Sequence, residues 1–241
     1  MAHDEIKHKS NCLICGKELR YQEASQSMEC YYCRRSFESN AQCADGHFIC
    51  DDCHSFPADK LIEQFCMGSN LTDPIQMAQI LMRDERIKMH GPEHHFLVPA
   101  VLLSAYYNVN GDHQMKGEKI QQAGKRAKNV LGGFCGFYGA CGAAVGTGIF
   151  ISLVLEANPL STSEWRLANL ITAVSLTKIA ELGGPRCCKR DTFLAIIEAT
   201  DFIQKHLNAK LDTNRNFKCE FSKFNKECLT GGCPFYEKLT A

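Results

Sequence analysis

The sequence predicts a mainly α-helical protein, in which a helical bundle domain lies between a small cysteine-rich N-terminal module and a cysteine-rich C-terminal tail. Apolar residues between the cysteine groups recur at helical spacing with short Gly/Pro connections, and no strand-type alternation appears beyond the first group. The 15 cysteines themselves fall at residues 10–54, 135–188 and 219–233, with Cys66 apart. The predicted units are a module at 1–56, a helical domain at 57–210 and a tail at 211–241.

Several helices can be placed from their end signals. Asp73-Pro74 is typical of a helix start, because proline in the first turn sacrifices no hydrogen bond, and Ile87 continues its apolar side. The stretch 90–93 ends this helix and begins the next. Ser161 and Glu164 form a capping box before a helix at 163–182. The remaining helices are predicted near residues 113–130, 137–157 and 189–209.

Composition and charge exclude some classes of protein. The chain is 45% hydrophobic and 22% charged, and Lys+Arg and Asp+Glu both number 27, so no net field attracts nucleic acid or anionic lipid. Met1–Ser10 is polar and predicts no secretory signal. The cysteines therefore indicate metal binding or redox chemistry in a reducing cytoplasm rather than disulfides, and they would also suit an anaerobic cell.

The uncharged stretch from Val130 to Leu155 is long enough to span a bilayer. It contains seven glycines, which let neighbouring helices approach closely. We therefore interpret it as a buried helix and expect no membrane association, with a membrane span as the alternative.

The N-terminal module contains eight candidate metal ligands that lie close together in the sequence. Two Cys-x-x-Cys pairs each place two thiolates on one side of a tight turn, and a second set of four ligands follows. We expect two zinc ions, with iron as a rival metal, and His54 as a spare ligand. The predicted ligands are Cys12, Cys15, Cys30, Cys33, Cys43, His47, Cys50 and Cys53.

Spacing leaves the pairing of these ligands open. Alternate pairs that share a metal would resemble RING-like modules, whereas sequential pairs would give a zinc ribbon followed by a site of three cysteines and one histidine. Closed sites of either kind bind or dock rather than catalyse. The module also carries a group of basic residues, which could form a solvated face or contact nucleic acid. These residues are Lys7, Lys9, Lys17, Arg20, Arg34 and Arg35.

A second cysteine group precedes two predicted helices. Cys135 and Cys141 come before an apolar helix, and Cys187 and Cys188 begin another, where the helix dipole favours thiolate. The neighbouring cations Arg186, Lys189 and Arg190 could hold a carboxylate. The alternatives are a packing role for Cys141 and a redox disulfide between Cys135 and Cys187.

Residues 133–207 resemble the iron–sulfur L-serine dehydratase α-domain. The likeness lies in Gly-Ala-Cys141-Gly-Ala-Ala-Val-Gly before an apolar helix and in Pro-Arg-Cys187-Cys188-Lys-Arg-Asp before another. It implies an all-helical fold and a 4Fe–4S cluster on three cysteines, whose fourth iron assists loss of water or sulfide from an amino acid. The middle ligand of that family has no counterpart between residues 142 and 186.

Nearly the whole chain resembles an uncharacterised cysteine-rich family of anaerobic microbes, domain-of-unknown-function family 5714. The motifs that carry this likeness are Cys43-x-x-Gly-His47-x-x-Cys50-Asp-x-Cys53-His54, Met89-His90-Gly-Pro-Glu93-His94-His95, Gly-Pro-Arg-Cys187-Cys188 and Cys233-Pro-Phe-Tyr. The resemblance implies no established activity.

The remaining candidate residues are histidines and tail cysteines. Glu93, His94 and His95 lie at a helix start as candidate acid–base groups or ligands, with surface capping as the alternative. In the tail, a cluster or zinc is expected on three cysteines plus Cys66 or a histidine, since the tail is otherwise polar. Those three are Cys219, Cys228 and Cys233.

Three functions remain open from the sequence. The first is an iron–sulfur enzyme that performs Lewis-acid elimination or sulfur chemistry on a small carboxylate-bearing substrate. The second is a zinc-dependent adaptor or regulator that binds a partner protein, and the third is a thiol redox or sulfur-carrier protein. For the enzyme, the catalytic candidates are Glu93, His94, His95, Arg186 and Arg190, and the cluster ligands are drawn from Cys135, Cys141, Cys187 and Cys188.

Overall fold

The computed structural model describes residues 12, 14, 15, 17–31 and 35–237. Within these ranges the predicted mainly α-helical class is confirmed, with one small sheet near the N-terminus. Some predictions lie outside the described residues: the polar start at Met1–Ser10, the ligand Cys33 and the basic residues Lys7, Lys9 and Arg34.

The N-terminal module is built on an antiparallel hairpin. Strand β1 (Leu19–Glu29) pairs with β2 (Ser36–Cys43) from Leu19 opposite Cys43 to Glu29 opposite Ser36, and the register shifts between Tyr21 and Gln26. Most residues of β1 are exposed, so neither face needed apolar residues and the sequence shows no alternation. At one end of the hairpin Cys43 lies beside the start of β1, and at the other end Cys30 directly follows β1.

The helices of the described chain form a bundle around the buried third helix. That helix packs against the first, second, fourth, sixth and eighth helices. Their bounds are α1 Asp51–Gly68, α2 Pro74–Arg83, α3 Glu93–Asn110, α4 His113–Ala127, α5 Phe134–Phe137, α6 Gly142–Val154, α7 Ser163–Leu182 and α8 Cys188–Leu207. Two short 3₁₀ turns, Ser222–Phe224 and Thr230–Gly232, follow in the C-terminal segment.

The predicted helix starts were partly right. The Asp73 side chain caps α2 by accepting the N–H of Ile75 at 2.8 Å, but the helix ends at Arg83, so Ile87 is buried in the following turn. The predicted capping box was wrong, because the Ser161 hydroxyl accepts the N–H of Asn158 instead. Helix α1 was not predicted as a separate element.

The uncharged stretch 130–155 forms two helices, α5 and α6, rather than one. Helix α6 is largely buried against α3, α4, α7 and α8, which confirms the buried-helix interpretation. None of the described helices combines the length and apolar character that a membrane crossing requires.

Apolar contacts hold the C-terminal segment on α8, although its sequence looked polar. Phe217 and Phe235 stack with ring centroids 5.0 Å apart, and both contact Phe193 of α8, at 4.7 and 5.5 Å. Aromatic pairs of this kind stabilise beyond the area they bury. The segment is therefore docked by side-chain packing as well as by any metal.

Glycine allows the close approach of α6 to α3. A Cβ added at Gly146 would lie 2.9 Å from Cδ of Pro99 and 3.1 Å from the carbonyl oxygen of His95. Both atoms belong to rigid parts of α3 and cannot rotate away. The contact between these helices therefore requires a residue without a side chain.

We expect Gly146→Ala to lower the free energy of unfolding by about 1–3 kcal/mol, as overpacking does in other cores. The matched control is Gly68→Ala at the end of α1, where a Cβ meets nothing within 4 Å and the change should stay within about 0.5 kcal/mol. Urea denaturation of both variants measures the difference. Equal stabilities would show that the two helices can move apart at little cost.

Candidate metal centres and the cleft beside them

The module gathers its ligands into two groups. In the first, the ligand atoms of Cys12, Cys15, Cys43 and His47 all lie within 4.8 Å of one another, and the sulfurs of Cys15 and Cys43 are 3.4 Å apart. The second group joins Cys30, Cys50 and Cys53 at the same spacing. Each group can therefore hold a metal ion.

The two groups take alternate ligand pairs. The first and third pairs come together, and Cys30 of the second pair joins the fourth, as in the cross-braced alternative. The hairpin explains this order, because β1 and β2 return the chain beside Cys12 and Cys15 before α1 begins. The assignment of zinc to these groups stays a prediction, since sulfur-rich sets also accept iron.

Backbone N–H groups point at the sulfurs of the module. Asp45 donates to Sγ of Cys43 at 3.3 Å, and Cys50 donates to Sγ of Cys30 at 3.3 Å. The Asp45 bond is the main reason that the pKa of Cys43 falls to about 6, against the effect of burial. Nδ1 of His47 is buried without a hydrogen-bond partner, as a ligand nitrogen would be.

Among the described residues, Tyr21, Asp51 and His54 of the module contact the helical domain. Tyr21 of β1 accepts a hydrogen bond from Arg186, whose guanidinium also lies 5.4 Å from the centre of its ring. The carboxylate of Asp51 accepts the N–H of Gly132 at 2.8 Å. Nδ1 of His54 lies 3.6 Å from Oε2 of the buried Glu93. The hairpin therefore forms one wall of a space shared with the helices.

That space is a cleft of about 1170 Å³. Its walls come from the hairpin, the segment that includes α5, the loop before α8 and the C-terminal segment. A cleft of this size accommodates a small molecule. The polar and sulfur-bearing side chains on its walls include Cys135, Cys141, Arg186, Arg190, Asp191 and His90.

Two thiols line this cleft, and a third lies near them. Cys141 is the N-cap residue of α6, and Cys188 opens α8 near Gly91. Burial, and after it the charge of Asp191, raise the pKa of Cys141 to about 12, although the N–H groups of Ala143 and Ala144 oppose the rise. A bound cation would reverse this penalty, because metal binding displaces the thiol protons.

The two candidate arginines have different surroundings. Arg190 is buried and donates to Oδ1 of Asp191 at 2.9 Å and to the carbonyl of Gly183 at 3.0 Å, so it secures the loop before α8. Arg186 lies at the cleft beside Cys135 and Cys188. Of the two, Arg186 is the better placed to bind an anion.

The predicted acid–base residues are held inside the protein. His94 is buried, its Nδ1 lies 3.1 Å from the Thr192 hydroxyl, and burial lowers its pKa to about 3. His95 donates from Nδ1 to the Val130 carbonyl at 2.7 Å. Burial opposes the charged form of Glu93, but His54 holds its pKa down at about 2. Their catalytic role stays untested, and their contacts give them a structural one.

His90 and His54 line the cleft, although neither was predicted to be catalytic. Nε2 of His90 lies 3.2 Å from Oδ1 of Asn225, while its Nδ1 is buried without a partner. A signal was present in the sequence, because His90 stands beside a Gly-Pro helix start. The contact with residue 225 was out of reach, since it depends on where the C-terminal segment docks.

The tail cysteines do not reach the cleft. Cys219, Cys228 and Cys233 border a separate small pocket together with Cys187. Cys66, the predicted fourth ligand, is fully buried in the helical core, where burial raises its pKa. None of the cysteines in the described ranges forms a disulfide, including Cys135 and Cys187.

Fold and ligand geometry define the chain as a helical, cysteine-rich protein with groups that can bind metal. It belongs to the DUF5714 family, a family of unknown function, whose model matches residues 62–236. This range covers most of the helical domain and the C-terminal cysteines, and it begins after the N-terminal module. No curated protein and no solved structure matches the chain, so the likeness to the serine dehydratase domain has no support from these comparisons.

Paired substitutions in the module test which ligands share an ion. We expect the double variant Cys12→Ser/Cys43→Ser to lose about one metal ion per chain, because both residues belong to one group. The double variant Cys12→Ser/Cys30→Ser should lose about two, because it damages both groups. Elemental analysis of the full-length proteins, relative to the unsubstituted chain, gives these losses.

The matched controls are the single variants, each of which should lose about one ion. If one substitution already releases both ions, a double-mutant cycle in unfolding free energy replaces the count, since ligands of one ion are strongly non-additive. The reverse result, with the larger loss for the Cys12/Cys43 pair, would establish sequential pairing.

Proposed function

We propose that the chain is an iron–sulfur enzyme that acts on a small carboxylate-bearing substrate in the cleft. The observation that carries this proposal is the joint presence of Cys135, Cys141 and Arg186 on the cleft wall. A purely structural set of thiols would not need an adjoining space of about 1170 Å³ or a cation beside it.

Three cysteines would hold the cluster at the cleft. Cys135 and Cys141 supply two thiolates from the wall, and Cys188 supplies the third from the start of α8. Cys141 and Cys188 both lie at helix starts, where nearby N–H groups lower the pKa of each thiol against the effect of burial, which lowers the cost of binding. A cluster held by three cysteines supplies one iron with an open position, which acts as a Lewis acid on a substrate hydroxyl or thiol.

Arg186 is the residue we assign to carboxylate binding. Its guanidinium is half-buried at the cleft and is held from one side by the ring and hydroxyl of Tyr21. Partial burial strengthens a charge-assisted hydrogen bond, and the fork of the guanidinium matches the two oxygens of a carboxylate. The substrate would thus be oriented with its carboxylate toward the loop before α8.

His90 is the candidate proton acceptor of the cleft. The Oδ1 atom of Asn225 also accepts the N–H of Glu227, so it acts as an acceptor and the proton of His90 lies on Nε2. Nδ1 therefore carries a lone pair. Burial, and after it the charge of Arg186, lower the pKa of His90, which keeps the ring neutral and able to accept a proton near neutral pH.

Binding of L-serine or L-cysteine to anaerobically purified protein tests the role of Arg186. We expect either amino acid to change the electron paramagnetic resonance spectrum of the reduced cluster. Arg186→Ala should weaken this binding by about ten- to a hundredfold, the loss of one charge-assisted contact. The spectrum recorded against ligand concentration gives the dissociation constants.

The matched control is Arg126→Ala, which removes an exposed arginine that contacts Ser152, away from the cleft. It should leave the dissociation constants unchanged. If the protein is colourless and contains zinc without iron, the enzyme proposal fails and the adaptor alternative is favoured. If Cys141→Ser leaves iron and sulfide at the level of the unsubstituted protein, Cys141 is not a ligand.

A further inference from the structure

The four cysteines at the small pocket come from two distant parts of the chain. Cys187 is the N-cap of α8, and the other three lie in the C-terminal segment. Apolar side chains, among them Met89, Phe193 and Phe221, complete the lining. Clustered thiols in an apolar setting are typical of a metal site that is shielded from solvent.

Two of the four sulfurs already accept backbone N–H groups. Phe221 donates to Cys219 at 3.4 Å, and Thr230 donates to Cys228 at 3.4 Å. Burial raises the pKa of the Cys187 and Cys233 thiols, and the nearby N–H groups of Arg190 and Phe235 counteract this rise. Such bonds favour the anionic thiolate, which is the form that binds metal.

Backbone strain supports one of these bonds. Thr230 has a φ of 47°, in the left-handed region that residues with a Cβ rarely adopt. Its N–H is the one that reaches Cys228. A strained conformation that aims a donor at a sulfur is consistent with a ligand position.

The spacing of the cysteine sulfurs distinguishes a site for a 4Fe–4S cluster from a site for a single metal ion. Tetrahedral zinc with bonds of about 2.3 Å brings its sulfurs to within about 3.8 Å of one another. A 4Fe–4S cluster keeps its cysteine sulfurs roughly 6 Å apart. Both groups in the N-terminal module lie within 4.8 Å, but among these four cysteines of the described chain no three do so. These sulfurs are therefore not gathered as tightly as the ligands of a single ion, which favours the cluster.

The positive charge of Lys189 at the small pocket is complementary to the negative charge of a cluster. The ammonium group of Lys189 lines the pocket and is buried, and its partners are the carbonyls of Met82 and Ile87 at 3.2 and 3.3 Å and the ring of Phe221 at 4.4 Å. Beyond these contacts, the carboxylate of Glu93 favours the charged form of Lys189, and so do the nearby Cys187 and Cys219. An oxidised 4Fe–4S cluster with four thiolates carries a net charge of about −2, which would stabilise a buried cation.

We propose that Cys187, Cys219, Cys228 and Cys233 bind a 4Fe–4S cluster through all four irons. This cluster is separate from the cleft, because consecutive residues in an extended segment point to opposite sides. Cys187 has φ −140° and ψ 97°, so its side chain serves the C-terminal pocket while that of Cys188 lies near Cys141. The proposal does not depend on the proposed function, since the two sites share no cysteine.

The decisive sample is the full-length variant Cys135→Ser/Cys141→Ser/Cys188→Ser, purified without oxygen. It retains all four ligands of the C-terminal pocket, and we expect it to hold about four irons and four sulfides per chain. Its reduced form should show the electron paramagnetic resonance signal of a 4Fe–4S cluster. Brief oxidation with ferricyanide should leave little three-iron signal, because every iron is held by a cysteine.

Further substitution of Cys219→Ser and Cys233→Ser in that background should remove the iron and sulfide. The matched control is Cys66→Ser, which alters a fully buried cysteine of the core and should leave the metal content unchanged. Circular dichroism confirms that each variant is folded.

Three results would overturn the proposal: a colourless triple variant, iron that persists after both tail substitutions, or a loss of zinc instead of iron. If only the cleft proposal fails, the triple variant would contain as much iron as the unsubstituted protein.

Discussion

Hydrogen bonds from backbone N–H groups to cysteine sulfur are the interaction on which the metal sites of the module and of the C-terminal pocket depend. They occur in the module at Cys30 and Cys43 and in the C-terminal pocket at Cys219 and Cys228. A thiol that accepts such bonds is prepared for loss of its proton, which burial alone would oppose. Turns of the backbone therefore direct N–H groups at sulfur. Cys66, which lies in the apolar core, shows the ordinary packing role instead.

The start of α8 organises the helical domain around these sulfurs. Cys187 and Cys188 are adjacent in sequence but serve different surroundings, one at the C-terminal pocket and one near Cys141. Arg190 and Asp191, one turn further on, form a buried ion pair that secures the loop before the helix. The close contact of α6 with α3 at Gly146 fixes the helix that Cys141 caps. The local sequence thus determines which residues can act as ligands, and helix packing determines the distances between their sulfurs.

Much of the fold followed from the sequence, but the assembly of the sites did not. Helix α2 was predictable because its Asp73 cap, its proline and its apolar spacing act within a few residues. Helix α7 has the predicted bounds, although its predicted capping box was wrong. The hairpin was hidden because its exposed faces impose no apolar alternation. The pairing of module ligands needed that hairpin, since spacing alone permits two arrangements. The partnership of Cys187 with the tail cysteines depends on stacking of Phe217 and Phe235 against Phe193, a contact between distant parts of the chain.

The contact between Tyr21 and Arg186 joins the module to the cleft. Small metal-binding modules of this kind usually fold only when their ions are bound, so β1 and its tyrosine would be in place only in the metal-loaded state. Loss of those ions would remove one wall of the cleft and release the guanidinium beside the thiols. By thermodynamic reciprocity, a ligand that closes the cleft would tighten the hold of the module on its ions. The supply of metal ions in the cell would then act as a distant effector of whatever the cleft binds.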